Sequence, residues 1–279
     1  MYNYNKIMDN LVTKYIGQTF VQYEEIDSTN TKAKHISNNC PEGMVVLAER
    51  QIAGKGRLGR TWISPKGKNI YMSIILKPNS DPQSAVKLTH IAAAAVSESL
   101  EEFNVENKIK WPNDILINGK KVCGILCEMT LRKKEINSIV VGIGINVNMA
   151  ESDIEEEIKD KAVSIKIITN EETEREKLIA YIFNNFEKYY NKLKEKNTID
   201  DALEVCKKNS AIINKYVEIN KIGRKTIRKV KVLDITENGE LLILNEEGEE
   251  EIVISGEVSV RGEGIYWDKK TLWDNEIRR

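Results

Sequence analysis

The strongest constraint on the fold is a change of pattern at Asn209. Before it, segments of strand and helix character alternate; after it only short strand segments remain, at 216–219, 229–234, 240–244, 251–254 and 258–260, separated by turn signals at Asn238-Gly239 and Glu247-Gly248. Short strands at this spacing predict a small closed barrel. The boundary falls near Ala211, so that residues 1–211 form an α/β domain whose helices cover a mixed sheet, 212–262 a small β-barrel and 263–279 a C-terminal extension. A chain of 279 residues has room for both domains, at ~150 residues for each.

Within the first domain, 21–26 and 44–49 read as strands, and Ser28-Thr29-Asn30 as a polar turn into a short helix over 31–37. Asp81-Pro82 supplies an N-cap and a first-turn proline for a longer helix, in which Ala85, Leu88, Ala92, Ala95, Ser99 and Phe103 recur at helical spacing. Asn118-Gly119 joins 115–117 to 120–128 as a two-residue hairpin, because both residues tolerate the positive φ of a type I′ turn. The run 139–147 is apolar enough for a strand covered on both faces. Leu178, Ile179, Ile182, Phe183, Phe186, Tyr190 and Leu193 mark one face of an amphipathic helix.

Composition excludes several function classes. With 42 Lys+Arg against 43 Asp+Glu the net charge is −1, which argues against bulk electrostatic binding to nucleic acid or to an anionic membrane. No window approaches the ~18 apolar residues of a spanning helix, and no apolar leader follows Met1; a soluble cytoplasmic protein is expected, with Cys40, Cys123, Cys127 and Cys206 as reduced thiols. His35 and His90 are the only histidines, too few to complete a zinc site at Cys123 and Cys127 or to favour a histidine-dependent nucleophile. Catalysis, if present, then falls to cations, carboxylates and backbone amides.

Two segments carry such groups. Gly54-Lys-Gly-Arg-Leu-Gly-Arg60 matches the glycine spacing of a dinucleotide-binding turn, but the following Thr61-Trp62-Ile63-Ser64-Pro65 runs into another turn rather than opening a helix. Its cations Lys55, Arg57 and Arg60 suit closure over a small anion; a solvated basic loop is the equally good alternative when the segment is read alone. In Lys110-Trp-Pro-Asn-Asp114, Pro112 biases Trp111 toward extended backbone, so Asn113 and Asp114 emerge where a strand begins, with Lys121 across the hairpin. Gly124 weakens its strand and commonly marks a close approach by a ligand or another backbone.

Taken in order, Asp27-Ser-Thr-Asn30, Gln51 with Gly54-Lys-Gly-Arg-Leu-Gly-Arg60, Lys110-Trp-Pro-Asn-Asp114, Lys121-Val-Cys-Gly-Ile-Leu126 and Gly142-Ile-Gly-Ile-Asn146 resemble the biotin protein ligases. The resemblance runs from about residue 21 to 262, and Gly256-Glu257-Val-Ser-Val-Arg261 resembles the end of the family's small C-terminal domain. It implies a class II synthetase-like ligase domain, an SH3-like C-terminal barrel, and a two-step reaction. Biotin and MgATP give biotinyl-5′-AMP and pyrophosphate, and a lysine of a biotin carboxyl carrier protein then takes the biotin.

By the same resemblance Lys121, Arg57 and Asp114 are the catalytic candidates. Lys121 meets the biotin carboxylate and adjoining phosphate, Arg57 holds the intermediate under the loop, and Asp114 orients or deprotonates the acceptor lysine. Ser28, Thr29, Asn30, Gln51, Gly54, Arg57, Lys121 and Gly124 are implied on the biotin side, and Lys55, Arg60, Trp62, Asn113 and Asn146 on the nucleotide side; no Mg²⁺ ligands are implied. The sequence departs from the family at Lys55, where arginine is more usual, at Cys123, where a smaller residue is common, and at Ala162-Val-Ser-Ile165, which leaves the adenine-side residues around 151–161 unassigned. The tail at 265–279, with Trp267 and Trp273, has no counterpart in the pattern.

Three rival functions compete with this reading. A ligase that also represses transcription needs a helix-turn-helix module, and only about twenty residues precede the ligase pattern; a monofunctional enzyme without DNA binding is expected. Lipoate or octanoate enzymes share the architecture without the combined motifs, and a nucleotide-binding module without catalysis leaves Lys121, Asp114 and the cationic loop with no joint purpose. Monomer and homodimer fit the sequence equally.

Overall fold

Seven strands build the larger sheet in the computed structural model, which describes residues 1–78, 84–132, 135–221, 227–254 and 258–262. They are β1 (Phe20–Tyr23), β2 (Val45–Ala48), β3 (Ile70–Leu76), β4 (Lys108–Lys110), β5 (Asp114–Ile117), β6 (Lys120–Arg132) and β7 (Glu135–Ile145), in the order β1-β2-β3-β7-β6-β5-β4. The β1–β2 pair is parallel and the other neighbours are antiparallel, so the sheet is mixed. β2 and β3 are buried along their whole length, as expected of strands covered on both faces.

The helices are α1 (Tyr4–Met8), α2 (Thr29–Ile36), α3 (Ser84–Glu101), α4 (Ile165–Thr169), α5 (Arg175–Lys196) and α6 (Asp200–Lys208). Strand alternation assigns them to faces. Val46, Ile75 and Val140 pack with Ala33 of α2, whereas Val45, Leu47, Ile74, Leu76, Ile139 and Val141 belong to the main core with α3 and α5. The α2 face also carries Ser73, Gly142, Gly144 and Gly124, whose small side chains leave room above the sheet.

The second sheet is β8 (Tyr216–Lys221), β9 (Ile227–Ile235), β10 (Leu241–Leu244), β11 (Glu250–Val253) and β12 (Val258–Gly262), antiparallel throughout in the order β11-β10-β9-β8-β12. Gly239 and Gly248 supply the expected positive φ at its turns. The mixed sheet flanked by helices and the separate all-β unit match the fold class read from the sequence.

Several boundaries differ. The first strand stops at Tyr23, with Ile26 making only an isolated bridge to Gln51. α2 begins at Thr29, two residues before expectation, and Ser28 at its N-cap makes no side-chain capping bond. Helices α1, α4 and α6 and the three-residue β4 were not foreseen; α1, α4 and β4 are too short to show a period. Asp81-Pro82, Gly256-Glu257 and the tail at 263–279 lie outside the described residues. Among the described residues the four cysteines are free, and no helix is long and apolar enough to cross a membrane. Burial pushes the Cys127 thiol up to about 12, which leaves it a poor nucleophile at neutral pH.

The second sheet shares the main apolar core and is also tied to the first domain through one turn carbonyl. Gly239 O, in the β9–β10 turn, accepts from Nε2 of His90 on α3 at 2.8 Å and from Nε1 of Trp111 at 2.9 Å. Since a carbonyl only accepts, His90 carries its hydrogen on Nε2, and burial pushes its pKa from 6.5 down to about 4. The unfolded chain takes up a proton below pH 6.5 that the folded chain refuses until about pH 4, so this contribution to stability is complete above pH 6.5 and is lost as pH falls. Replacing His90 with glutamine, which does not titrate, is expected to flatten the fall between those limits by up to about 1.4 kcal/mol per pH unit. Urea denaturation of parent and variant across this range checks it; parallel curves would refute it.

Candidate active site

Lys121 is aimed by an irregularity in the sheet. Ile115 pairs with Cys123 but its neighbour Leu116 pairs with Lys121, so Val122 is an extra residue in β6. Regular alternation would turn Lys121 away from Gly124; the bulge brings it to the same face. A Cβ on Gly124 would lie 2.9 Å from Lys121 Cε and 2.9 Å from the Trp62 ring, so glycine is required here by the protein's own side chains. Lys121 Nζ pairs with Asp114 Oδ1 at 2.6 Å and lies 5.2 Å from the Trp62 ring centroid. Asp114 opens β5, as its position after Pro112 predicts, and is largely buried.

Two cavities meet at this pair. The smaller, about 40 Å³, is lined by Ser28, Thr29, Asn30, Gln51, Lys55 and Gly124, among others, and the larger, about 270 Å³, by Lys110, Asp114, Asn146 and Arg60. Gly56, Arg57, Trp62, Asn113 and Lys121 line both. The structure thus gathers the sequence candidates with one exception: Gly54 lines neither cavity but sits behind them, its carbonyl accepting from Trp62 N at 2.9 Å. Lys55 lines the smaller cavity and not the larger.

The polar end of the smaller cavity is held tightly. Gln51 Oε1 accepts from Thr29 N at 2.9 Å, while Gln51 Nε2 donates to Ser64 Oγ at 3.0 Å. The cationic loop is folded over the junction. Gly56 N donates to Arg60 O at 2.7 Å, Lys55 and Thr61 form a bridge, and Arg57 Nη1 donates to Asn113 Oδ1 at 2.5 Å. Asn113 Nδ2 in turn donates to Asp114 Oδ1 at 3.0 Å and to Ile125 O at 3.1 Å. A chain of contacts therefore runs from the loop to the carboxylate paired with Lys121.

Sequence reasoning missed Met149, Ile158, Lys161 and Ala162, which also line the larger cavity. The last three arrive because the 158–163 segment pairs with the backbone of Lys121: Lys121 N donates to Lys161 O at 2.7 Å and Val163 N to Lys121 O at 3.0 Å, while Met149 O accepts from Ser164 Oγ at 2.6 Å. No periodicity announces such a pairing; the resemblance pointed to the stretch around 151–161 without assigning its residues. The residues do not form a protein-held metal site. Asp114, the one carboxylate among the described residues lining the larger cavity, is paired with Lys121, and among the described residues no group of three His, Cys, Asp or Glu gathers anywhere.

The arrangement is a small polar pocket joined to a larger one at a partly exposed lysine paired with a buried carboxylate, beneath a cationic loop, which suits bringing two anionic groups together. Residues 23–146 match the model of the "Biotin/lipoate A/B protein ligase family", and residues 212–261 that of the "Biotin protein ligase C terminal domain". The bifunctional ligase/repressor BirA of Bacillus subtilis (strain 168) is 42% identical over 188 residues, 67% of this chain and 58% of that protein. The biotin–[acetyl-CoA-carboxylase] ligase of Paracoccus denitrificans is 38% identical over 124 residues, 43% of this chain and 51% of that one. The matches thus span between half and three fifths of these relatives' length. The structure of the biotin protein ligase from Aquifex aeolicus in complex with biotin and ATP superimposes with a TM-score of 0.77 at 32% identity, covering 88% of this chain and all of that one (100%). With that coverage at that identity, and with residues 23–146 and 212–261 each matched by a model, the chain belongs to the biotin protein ligases.

Proposed function

We propose that the protein activates biotin with ATP as biotinyl-5′-AMP and passes the biotin to a lysine of a biotin carboxyl carrier protein, such as that of an acetyl-CoA carboxylase. The observation that carries this reading is the Lys121–Asp114 pair at 2.6 Å, with Lys121 in the wall that the two cavities share and Asp114 on the side of the larger. In the relative from Aquifex aeolicus the bound molecules are biotin and ATP. Here the smaller cavity, with its fixed amide and hydroxyl groups, takes the ureido ring, and the larger takes the nucleotide.

In the first step a biotin carboxylate oxygen attacks the α-phosphorus and pyrophosphate leaves. Two anions must approach, and the Lys121 ammonium, half enclosed beside Trp62, lowers that cost where water is scarce. Arg57 adds a second cation from above, tied to Asn113. Magnesium enters with the triphosphate as part of the substrate, and no step is assigned to it. In the second step the lysine amine attacks the acyl carbon, AMP leaves with the electron pair, and a proton leaves the nitrogen. An amine of ordinary pKa ~10.4 is mostly protonated near neutrality, so a carboxylate at the reacting centre is needed to orient it and accept the proton; Asp114 stands there.

Asp114→Asn is therefore expected to slow transfer from purified biotinyl-AMP to carrier protein by about a hundredfold, within the usual range for general-base removal, and to slow adenylate synthesis less. Single-turnover assays of the two half-reactions check this. Equal losses in both would assign Asp114 to holding Lys121 instead.

A further inference from the structure

The larger cavity opens along one short stretch of the cationic loop. Of the described residues that line it, only Leu58, Arg60 and Thr61 are exposed; the rest, Asp114 among them, are buried or half-buried. Leu58 is the one apolar residue of the three, and it is 56% exposed. We propose that Leu58 is a contact for the carrier protein, which seats an apolar surface beside its acceptor lysine on this side chain as the lysine enters toward Asp114. The proposal rests on the carrier reading above and adds where on this chain that partner is met.

The route of the lysine follows from where the carboxylate stands. Asp114 lines the larger cavity and not the smaller, and it is largely buried, so an amine that reaches it from outside comes through that mouth. A cavity of about 270 Å³, part of it freed when pyrophosphate leaves, admits a side chain but not the folded domain behind it. The domain therefore stops at the rim, which residues 58–61 supply.

The loop holds Leu58 out at that rim. Its φ of 58° and ψ of 36° lie in the left-handed region, which asparagine and glycine enter readily and leucine only at a cost. The turn is closed by its own backbone, with Arg60 N donating to Arg57 O at 3.2 Å and Gly56 N to Arg60 O at 2.7 Å. The preceding Arg57 is half-buried and tied to Asn113, whereas Leu58 is exposed. Gly59 follows at φ 73°, and a Cβ there would meet nothing within 4 Å, so the space beside the tip is open to a partner. Strained backbone that displays an apolar side chain among polar neighbours, at the entrance to a reacting centre, fits a protein contact.

The test gives the full chain, with biotin and MgATP, two acceptors. One is the apo carrier domain of an acetyl-CoA carboxylase, which must dock; the other is hydroxylamine, whose nitrogen attacks the same acyl carbon as AMP leaves and needs no docking. Leu58→Asn suits the left-handed backbone and removes the apolar contact, while Leu58→Met keeps it. The quantity read is kcat/KM for the carrier divided by kcat/KM for hydroxylamine. It is expected to fall about tenfold in Leu58→Asn, through the KM for the carrier, and to stay within about twofold of the parent in Leu58→Met. An unchanged ratio in Leu58→Asn overturns the proposal; if both acceptors slow together, Leu58 serves the bound intermediate instead. An equal fall in Leu58→Met overturns it as well, because the apolar contact is then not the cause. A parent that forms the hydroxamate but leaves the carrier unmodified overturns it while adenylation stands. A parent that forms no hydroxamate overturns the reading above along with it.

Discussion

Lys121→Ala is expected to reduce biotin-dependent pyrophosphate release by about two to three orders of magnitude, the scale seen when one donor to a developing charge is removed from an enclosed site. The size follows from position. Its Nζ is 2.6 Å from Asp114 and lies over Trp62 at the wall shared by both cavities, so no solvent layer substitutes for it when carboxylate and phosphate meet. The fold should survive, since the side chain is 23% exposed and Asp114 keeps its bond from Asn113. Thermal unfolding of parent and variant measures that directly. Pyrophosphate release within tenfold of the parent in a folded variant would remove Lys121 from the chemistry.

Arg57→Gly should fail differently, by leakage. Its guanidinium joins the loop to Asn113, and its removal leaves the 54–60 segment held chiefly by its own backbone bonds. Loop closure then loses the contacts that depend on ligand, and the added glycine raises the cost of ordering the segment. Lys121 remains to assist adenylation. The variant is expected to make biotinyl-AMP yet release it about a hundredfold faster, so that the free mixed anhydride labels lysines of bystander proteins. Incubating enzyme, biotin and MgATP with an unrelated lysine-rich protein, alongside a measured dissociation rate for the intermediate, tests this. Unchanged labelling with an unchanged rate would show that Arg57 does not hold the loop closed.

What the sequence made legible was local chemistry with a strict geometric meaning. Asn118-Gly119 announced its hairpin because both residues sit at positive φ, and the apolar spacing on α5 announced its buried face. The order of the motifs announced the family. Three features at the site lay beyond such reading, because each depends on tertiary pairing. The Val122 bulge that turns Lys121 toward Gly124 leaves no mark in the residues themselves. The 158–163 segment lines the larger cavity only by pairing with Lys121. Leu58, a residue type that gives no warning, stands in the left-handed region at φ 58° inside the cationic loop.

The carbonyl of Gly239 has a consequence for how the protein can be dissected. Cutting the chain after Lys208 would delete the acceptor of two buried donors, Trp111 Nε1 and His90 Nε2, and open the ground beneath the segment that presents Asn113 and Asp114. Losing both bonds and uncovering the apolar surface around them would destabilise such a fragment in its own right. Activity lost by truncation would measure that damage together with whatever the barrel contributes to substrates. A turn altered within the intact chain is the cleaner incision, because the barrel then stays in place while its grip on the tryptophan and the histidine is released.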